Sequence, residues 1–235
     1  MIPINILTQP DDETCGPTSL HAVYQYYGDS ISLEQTIAEV TYLEEGGTLA
    51  VLLGCHALAR GYKAKIYTYN LSVFDPTWFD DNQQDLIEKL QTQKKIKNNN
   101  FKLHKASDGY IEFLSSGGKL LFADLTSSLL TRYFKQQIPI LAGLSATHLY
   151  RCKREYAGAD KTTIYDDLRG YPTGHFVVLW GYDEAKKHVM VADPYRGNPF
   201  SGSNYYSVKV SHLINSIMLG ILTYDANILI IEKNR

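Results

Sequence analysis

The chain is short of cysteine, of net charge and of long apolar runs, and each shortage removes a class of function. Its three cysteines, Cys15, Cys55 and Cys152, are an odd number at unrelated spacings, and no C-x-x-C occurs in 235 residues. Neither a zinc ribbon nor a thioredoxin-type redox site is suggested, and free thiols in a reducing compartment are the plain reading. No metal or cofactor is expected. A net charge of −2 makes no electrostatic case for nucleic acid or an anionic membrane as partner. The longest apolar stretches are strand-sized, so no membrane-spanning segment is expected. The N-terminus, M-I-P-I-N-I-L-T-Q-P, lacks a basic n-region and a small-residue cleavage site, which leads us to expect a cytoplasmic protein.

What remains is ordinary for a globular protein, at 44% apolar and 20% charged residues. Tyrosine is the exception. Eighteen of them suit a groove that packs against a flexible ligand. The length fits one domain over residues 1–235.

Periodicity divides the chain in two. Ile4 to Leu7 reads as a short strand. From Cys15 to Tyr27, Leu20, Val23, Tyr24 and Tyr27 fall at helical spacing, and Gly28 stops the run. Ser32 with Gln35 three residues later forms a capping box for a second helix, and a third spans Thr48 to Arg60. Lys63 to Tyr69 alternates as a strand. Residues 75–118 are mostly helical, broken by a polar turn at Lys94 to Asn100, and another helix covers Ser127 to Gln136. Strands then dominate at Ile138 to Leu144, His175 to Tyr182, His188 to Ala192, Tyr206 to Val210 and Asn227 to Glu232, with a helix at His212 to Leu219. A mainly helical half (1–137) followed by a mainly antiparallel β half (138–235) indicates an α+β fold. Residues 145–174 form a long polar connection, and loops of that length inside compact domains are usually functional lids or disordered.

The chemistry centres on Cys15. It heads the first helix, where unpaired N–H groups and the positive dipole end stabilise an anion. The anion would be a thiolate, the form of cysteine that attacks carbonyl carbon. Such a nucleophile needs a base, a group to orient the base, and donors for the oxyanion. His175 begins an apolar strand. Asp193 closes the next one, eighteen residues on, so adjacent strands bring the two together. Gln9, six residues before Cys15, carries an amide able to serve the oxyanion.

The blocks T-Q-P-D-D-E-T-C-G-P-T-S-L, G-H-F-V-V-L-W-G-Y-D and V-A-D-P-Y-R-G together resemble the papain-like cysteine peptidases. The closest branch is the bacteriocin-processing, double-glycine-leader peptidase-like family. All its motif elements stand in family order between Gln9 and Gly197, while residues 45–137 carry none. The resemblance implies Cys15 as nucleophile, His175 as base, Asp193 as orienter and Gln9 as oxyanion donor. It also implies a helical subdomain carrying the cysteine, packed on an antiparallel sheet carrying His175 and Asp193. Classical members of the family are fused to a membrane exporter. Here there is no membrane segment and the helical middle is longer, so the expected substrate is a peptide or peptide-like amide in general.

Plainer roles compete at several positions. Buried cysteine is usually inert packing, the reading we give Cys55, and Cys152 is read as structural or incidental. Asp193 before Pro194 also suits a turn, and His21 suits packing. His148, in the loop after a strand, is the rival base. Asp11, Asp12 and Glu13 create a tension, because carboxylates beside a thiol raise its pKa. Either they face away from the sulphur or the His175 pairing outweighs them. We expect one or more of them, joined by Asp166 and Asp167, to recognise a cationic group on the substrate. The candidate substrate-binding set is Asp12, Glu13, Gly16, His148, Asp167 and Gly174, with Tyr150, Tyr156, Tyr165 and Tyr171 as lid contacts. Three outcomes remain open for the site: hydrolysis, acyl transfer to an amine through the same acyl-enzyme, or a catalytically silent peptide-binding module.

Overall fold

A computed structural model describes residues 1–43, 46–79, 83–158 and 162–234. Its centre is a seven-stranded sheet in the order β2-β1-β9-β3-β6-β7-β8. The strands are β1 (Lys63–Thr68), β2 (Lys119–Leu121), β3 (Ile140–Ser145), β6 (Gly174–Asp183), β7 (His188–Ala192), β8 (Tyr205–Lys209) and β9 (Asn227–Glu232). All neighbours are antiparallel except β1 and β2. The strands richest in Val, Ile and Leu lie innermost: β9 and β3 are buried almost throughout, as strands covered on both faces must be. The architecture is α+β, as the segregation of elements predicts.

Helices α1 (Cys15–Tyr26), α2 (Leu33–Glu39) and α3 (Ala50–Ala59) precede the sheet's first strand, and α1 packs against β6. Leu20, Val23 and Tyr24 of α1 are buried as their spacing requires. At α2, Ser32 Oγ accepts from Gln35 N at 3.1 Å, but the Gln35 side chain turns to Glu39, so only half of the capping box forms. Helices α4 (Gln83–Ile96) and α5 (Phe101–Ser115) flank the expected polar turn, and α6 (Ser127–Lys135) leads into β3.

Three expectations need correction. Ile4 to Leu7 is not a strand: the alternation is real, with Ile2, Ile4 and Ile6 buried, but the segment forms no ladder. Its backbone bonds instead singly to Trp180 O (from Ile2 N, 3.0 Å) and to the Tyr205 hydroxyl (from Ile6 N, 2.9 Å). The connection 145–174 is not a plain loop. It holds α7 (Ala146–Tyr150) and a hairpin of β4 (Glu155–Ala157) and β5 (Thr163–Tyr165), elements too short to show a period. Residues 159–161 of that stretch, and 80–82 of the helical middle, lie outside the described residues. Finally, the sheet does not respect the division at 137. β1 and β2 come from the first half, and β9 runs between β1 and β3.

The last strand therefore stitches both halves together. Asp225, just before β9, is buried and its Oδ2 accepts from Ala50 N, the first residue of α3, at 3.0 Å. It caps a helix 175 residues away whose own N-cap, Leu49, has no side chain able to do so. Among the described residues, no helix is long and apolar enough to cross a membrane.

Burial dominates at Asp225 and lifts its carboxyl pKa to about 7, against the bonds from Asn227 and Ala50 that favour the charge. A carboxyl whose pKa is raised on folding adds stability below its unfolded value, near 4, and loses it as pH climbs to about 7. The stability of the wild type relative to Asp225→Asn is expected to fall between these two pH values, by up to a few kcal/mol. Urea melts of both proteins across that range test this, and a constant difference would refute it.

Candidate active site

Cys15 is the first residue of α1 and is partly exposed. The helix is left uncapped by side chains. Thr14 holds the N-cap position without a cap bond, and its hydroxyl donates to Asp11 O at 3.2 Å instead. Pro17 has no N–H to offer. No acidic residue stands in the first turn. The positive end of α1 is thus not neutralised within its own turn, which suits an anion at Cys15.

The three carboxylates of the preceding loop all have neighbours of their own. Asp11 Oδ1 accepts from Glu13 N at 2.9 Å, and Asp12 Oδ2 accepts from the Thr163 hydroxyl on β5 at 3.3 Å. The Glu13 carboxylate lies against Gly46, where even a Cβ would meet Oε1 at 2.4 Å. Asp11 and Glu13 nevertheless act electrostatically on the Tyr42 phenol, as Cys15 does.

His175 is the second residue of β6 and is buried; Asp193 directly follows β7 and has 0% exposure. His175 Nε2 bonds Asp193 Oδ1 at 2.8 Å. The register explains why the two meet. At the hairpin end of the pair, Asp183 faces His188 and Gly181 faces Met190. A bulge between Leu179 and Gly181 then slips the ladder by one residue, so that Val178 faces Ala192. Continued past Ala192, this register puts Asp193 opposite Val177, diagonal to His175 and on its face. Without the bulge Asp193 would fall opposite Val178 and point to the other side of the sheet, since a one-residue slip flips every side chain.

Burial alone would depress the His175 pKa. The Asp193 carboxylate first, and then the neighbouring Cys15 thiol, overcome it and hold the value well above the ordinary one. Burial likewise pushes the Asp193 carboxyl up, and His175, Tyr206 and Tyr150 bring it below the usual range. With Nε2 bound to the carboxylate, the ring nitrogen left for Cys15 is Nδ1. Gln9 is held at the same spot. Its backbone N–H donates to Pro194 O, the residue after Asp193, at 2.9 Å, so the first and last sequence blocks are bonded directly. Its side-chain Nε2 donates to Asp11 O at 2.7 Å, and Oε1 is buried with no partner. The amide is thus fixed in place with a second N–H on the same nitrogen.

The structure brings Cys15, His175 and Asp193 together and ties the Gln9 backbone to Pro194 beside them. Among the candidate substrate residues, His148 and Asp167 have partners outside this group. His148 Nδ1 pairs with Ser216 Oγ at 3.0 Å and its ring packs on His212, both on α8 (Val210–Leu219). Asp167 is exposed, with Lys153 Nζ 3.8 Å away. Asp166 takes the backbone N–H groups of Leu168 and Arg169 together with the Arg169 guanidinium, which hold its pKa near 2. Local turn groups thus hold Asp166, while Asp167 makes a long, exposed pairing with Lys153. Gly16 and Gly174 serve packing. A Cβ at Gly16 would lie 2.5 Å from Thr48 Cγ2, and one at Gly174 would lie 2.8 Å from Thr223 Oγ1. Of the four lid tyrosines, Tyr156 lies under Arg169, and Tyr165 and Tyr171 are exposed on and beside the hairpin. Tyr150 is not a lid residue: its hydroxyl donates to Asp193 Oδ2 at 2.7 Å.

Sequence reasoning missed two partners of the Asp193 carboxylate altogether. Tyr206 on β8 donates to Oδ2 at 2.6 Å, and the Tyr195 backbone N–H donates to Oδ1 at 2.8 Å. The only available signal for Tyr206 was its place in an alternating strand two residues before Val208. Glu155 on β4 also stands near the site. Burial raises its pKa and Thr173 lowers it, with Asp12 and His175 as charged neighbours. Among the described residues, no group of three or more His, Cys, Asp or Glu side chains is placed to hold a metal ion.

A protein-family profile described as the Peptidase_C39 like family matches residues 1–216. Comparison with curated protein sequences gives no match. Among solved structures, one described as a C39-like peptidase from Bacillus anthracis is similar at a TM-score of 0.51 and 14% identity, covering 99% of this chain and 96% of that one. A double glycine motif protease from an AMS/PCAT transporter, in complex with its leader peptide, gives 0.46 and 16%, covering 99% and 94%. Xylellain, a cysteine protease from Xylella fastidiosa, gives 0.44 and 14%, covering 100% and 85%.

The tight seat of α1 is testable. Thr48 is buried and its hydroxyl is tied to Thr41 O at 2.9 Å, so it yields poorly to an added methyl. Gly16→Ala is expected to destabilise the protein by about 1–2 kcal/mol, overpacking outweighing alanine's helix preference. Chemical denaturation measures this; an unchanged or higher stability would contradict the close packing.

Proposed function

Since the chain belongs to the Peptidase_C39 like family, we propose that it is a cysteine peptidase that cleaves a peptide, or a peptide-like amide, through a thioester on Cys15. The observation that carries this reading is the buried His175–Asp193 pair at 2.8 Å, with the Cys15 thiol as the other neighbour of the ring. A histidine kept protonated by a buried carboxylate favours a thiolate beside it, and the head of α1 favours it further.

In this mechanism the Cys15 thiolate attacks the carbonyl carbon, and the C=O pair moves onto oxygen. The Cys15 backbone N–H and the free N–H of the Gln9 amide take up the oxyanion. Collapse breaks the C–N bond, and the His175 imidazolium gives its proton to the departing amine. The amine leaves and a thioester remains. Water then attacks, giving its proton to His175 Nδ1. The C–S bond breaks, releasing the carboxylic acid and restoring the thiolate–imidazolium pair. Asp193 keeps the ring in the tautomer and orientation that both halves use.

Iodoacetamide at mildly acidic pH is expected to label Cys15 much faster than Cys55 or Cys152, and His175→Ala is expected to abolish that selectivity. Equal labelling of the three thiols would overturn the reading in favour of a silent binding module. Gln9→Ala separates attack from oxyanion support. It is expected to leave the labelling of Cys15 intact while lowering turnover by about a hundredfold or more. Turnover is read as new amino termini released from a peptide library. Loss of labelling along with turnover would place Gln9 in holding Cys15 rather than in stabilising charge.

A further inference from the structure

Asp193 carries more donors than a group that merely orients a histidine needs. An ionised carboxylate has two oxygens and about four lone-pair sites. Here Oδ1 accepts from His175 Nε2 (2.8 Å) and Tyr195 N (2.8 Å), and Oδ2 accepts from the hydroxyls of Tyr150 (2.7 Å) and Tyr206 (2.6 Å). All four sites are filled on a side chain with no solvent exposure.

The two phenols reach Oδ2 from separate elements. Tyr206 comes from β8. Val191 faces Tyr206 in the β7–β8 ladder, so Tyr206 shares the face of Asp193. Tyr150 comes from the last turn of α7, within the stretch that joins β3 to β6. Phe200 packs against both rings, with centroids 4.7 Å from Tyr206 and 6.1 Å from Tyr150. The backbone of Asp193 is pinned as well, by Asn204 O at 2.8 Å and Asn204 Nδ2 at 2.6 Å. With its backbone held, the carboxylate has only its own rotation left to lose, and the two hydroxyls remove it.

We propose that Tyr150 and Tyr206 are positioning residues: their paired hydroxyls lock the Asp193 carboxylate so that Oδ1 faces His175 and Nδ1 of the ring is left to Cys15. The inference rests on the Cys15–His175 reading above. Without the phenols, Oδ2 would keep two buried and empty acceptor sites. The carboxylate would then either rotate or lose part of its preference for the charged form. In both cases the imidazolium of His175 is weakened, and with it the thiolate of Cys15. A purely structural role for the rings would instead leave His175 untouched once the protein is folded.

The test follows His175 directly, so it does not depend on knowing the substrate. The protonation midpoint of the imidazole is read by ¹⁵N NMR, and the pH dependence of Cys15 alkylation by iodoacetamide is read in parallel. Tyr206→Phe and Tyr150→Phe are each expected to lower the His175 midpoint by about half a pH unit or more, the double variant further. Alkylation at mildly acidic pH is expected to slow in the same order. Phe200→Leu disturbs the same ring packing but removes no hydroxyl, and is expected to leave the midpoint in place. An unmoved midpoint in the double variant, or an equal shift in Phe200→Leu, overturns the proposal. Should Tyr206→Phe fail to fold, the partly exposed Tyr150 alone decides the matter by the same readout. If His175→Ala leaves Cys15 alkylation unchanged, the peptidase reading fails instead, and the midpoint shift still reports on the tyrosines separately.

Discussion

A carboxylate shut off from water is the feature on which this site depends. Burying Asp193 would neutralise it unless its charge were met on every side, since an unpaired ion in a protein interior is among the most costly arrangements. Here the charge is met by an imidazole, two phenols and a backbone N–H. Satisfying that one group recruits β6, β7, β8 and α7 to a single point. The raised proton affinity of His175 is a consequence, and so is the electrostatic setting of Cys15.

The backbone device behind this convergence is small. One residue's slip between Leu179 and Gly181 decides which face of the sheet Asp193 occupies. A bulge raises local twist and leaves a residue out of the ladder, and both are tolerable here because the N-terminal segment covers the irregularity. Ile2 bonds Trp180 O, and Met1 packs near Gly181. The same segment then carries Gln9 to Pro194 and turns into α1. The first fifteen residues thus cover the bulge and deliver the thiol, which is why motifs 160 residues apart in sequence share one place.

The legible part of the sequence was its chemistry. A thiol at a helix head, a histidine at a strand head and an aspartate at the next strand's end are residue types that nucleophilic acyl chemistry would use together. Helices with apolar spacing, such as α1 and α3, and strands with long apolar runs, such as β6 and β9, were equally legible, because burial on one or both faces imposes a period. The elements around the site were not. α7 has five residues, and β2, β4 and β5 have three each, too few to complete a period. Tyr150 therefore reads as a lid contact and Asp166 as a substrate contact, whereas the Tyr150 hydroxyl bonds Asp193 and local turn groups hold Asp166.

By itself the sequence determined the α+β class, the candidate nucleophile with its candidate partners and the order in which they occur. These follow from side-chain chemistry and from hydrophobic period, which act over a few residues. The tertiary structure alone decided the face on which Asp193 lies, the donors that keep it charged, the seat of α1 on Thr48 and Phe176, and the capping of α3 by Asp225. Those outcomes depend on strand register and on contacts between distant segments, where a shift of one residue reverses the result. No local pattern in the chain encodes a shift of that kind.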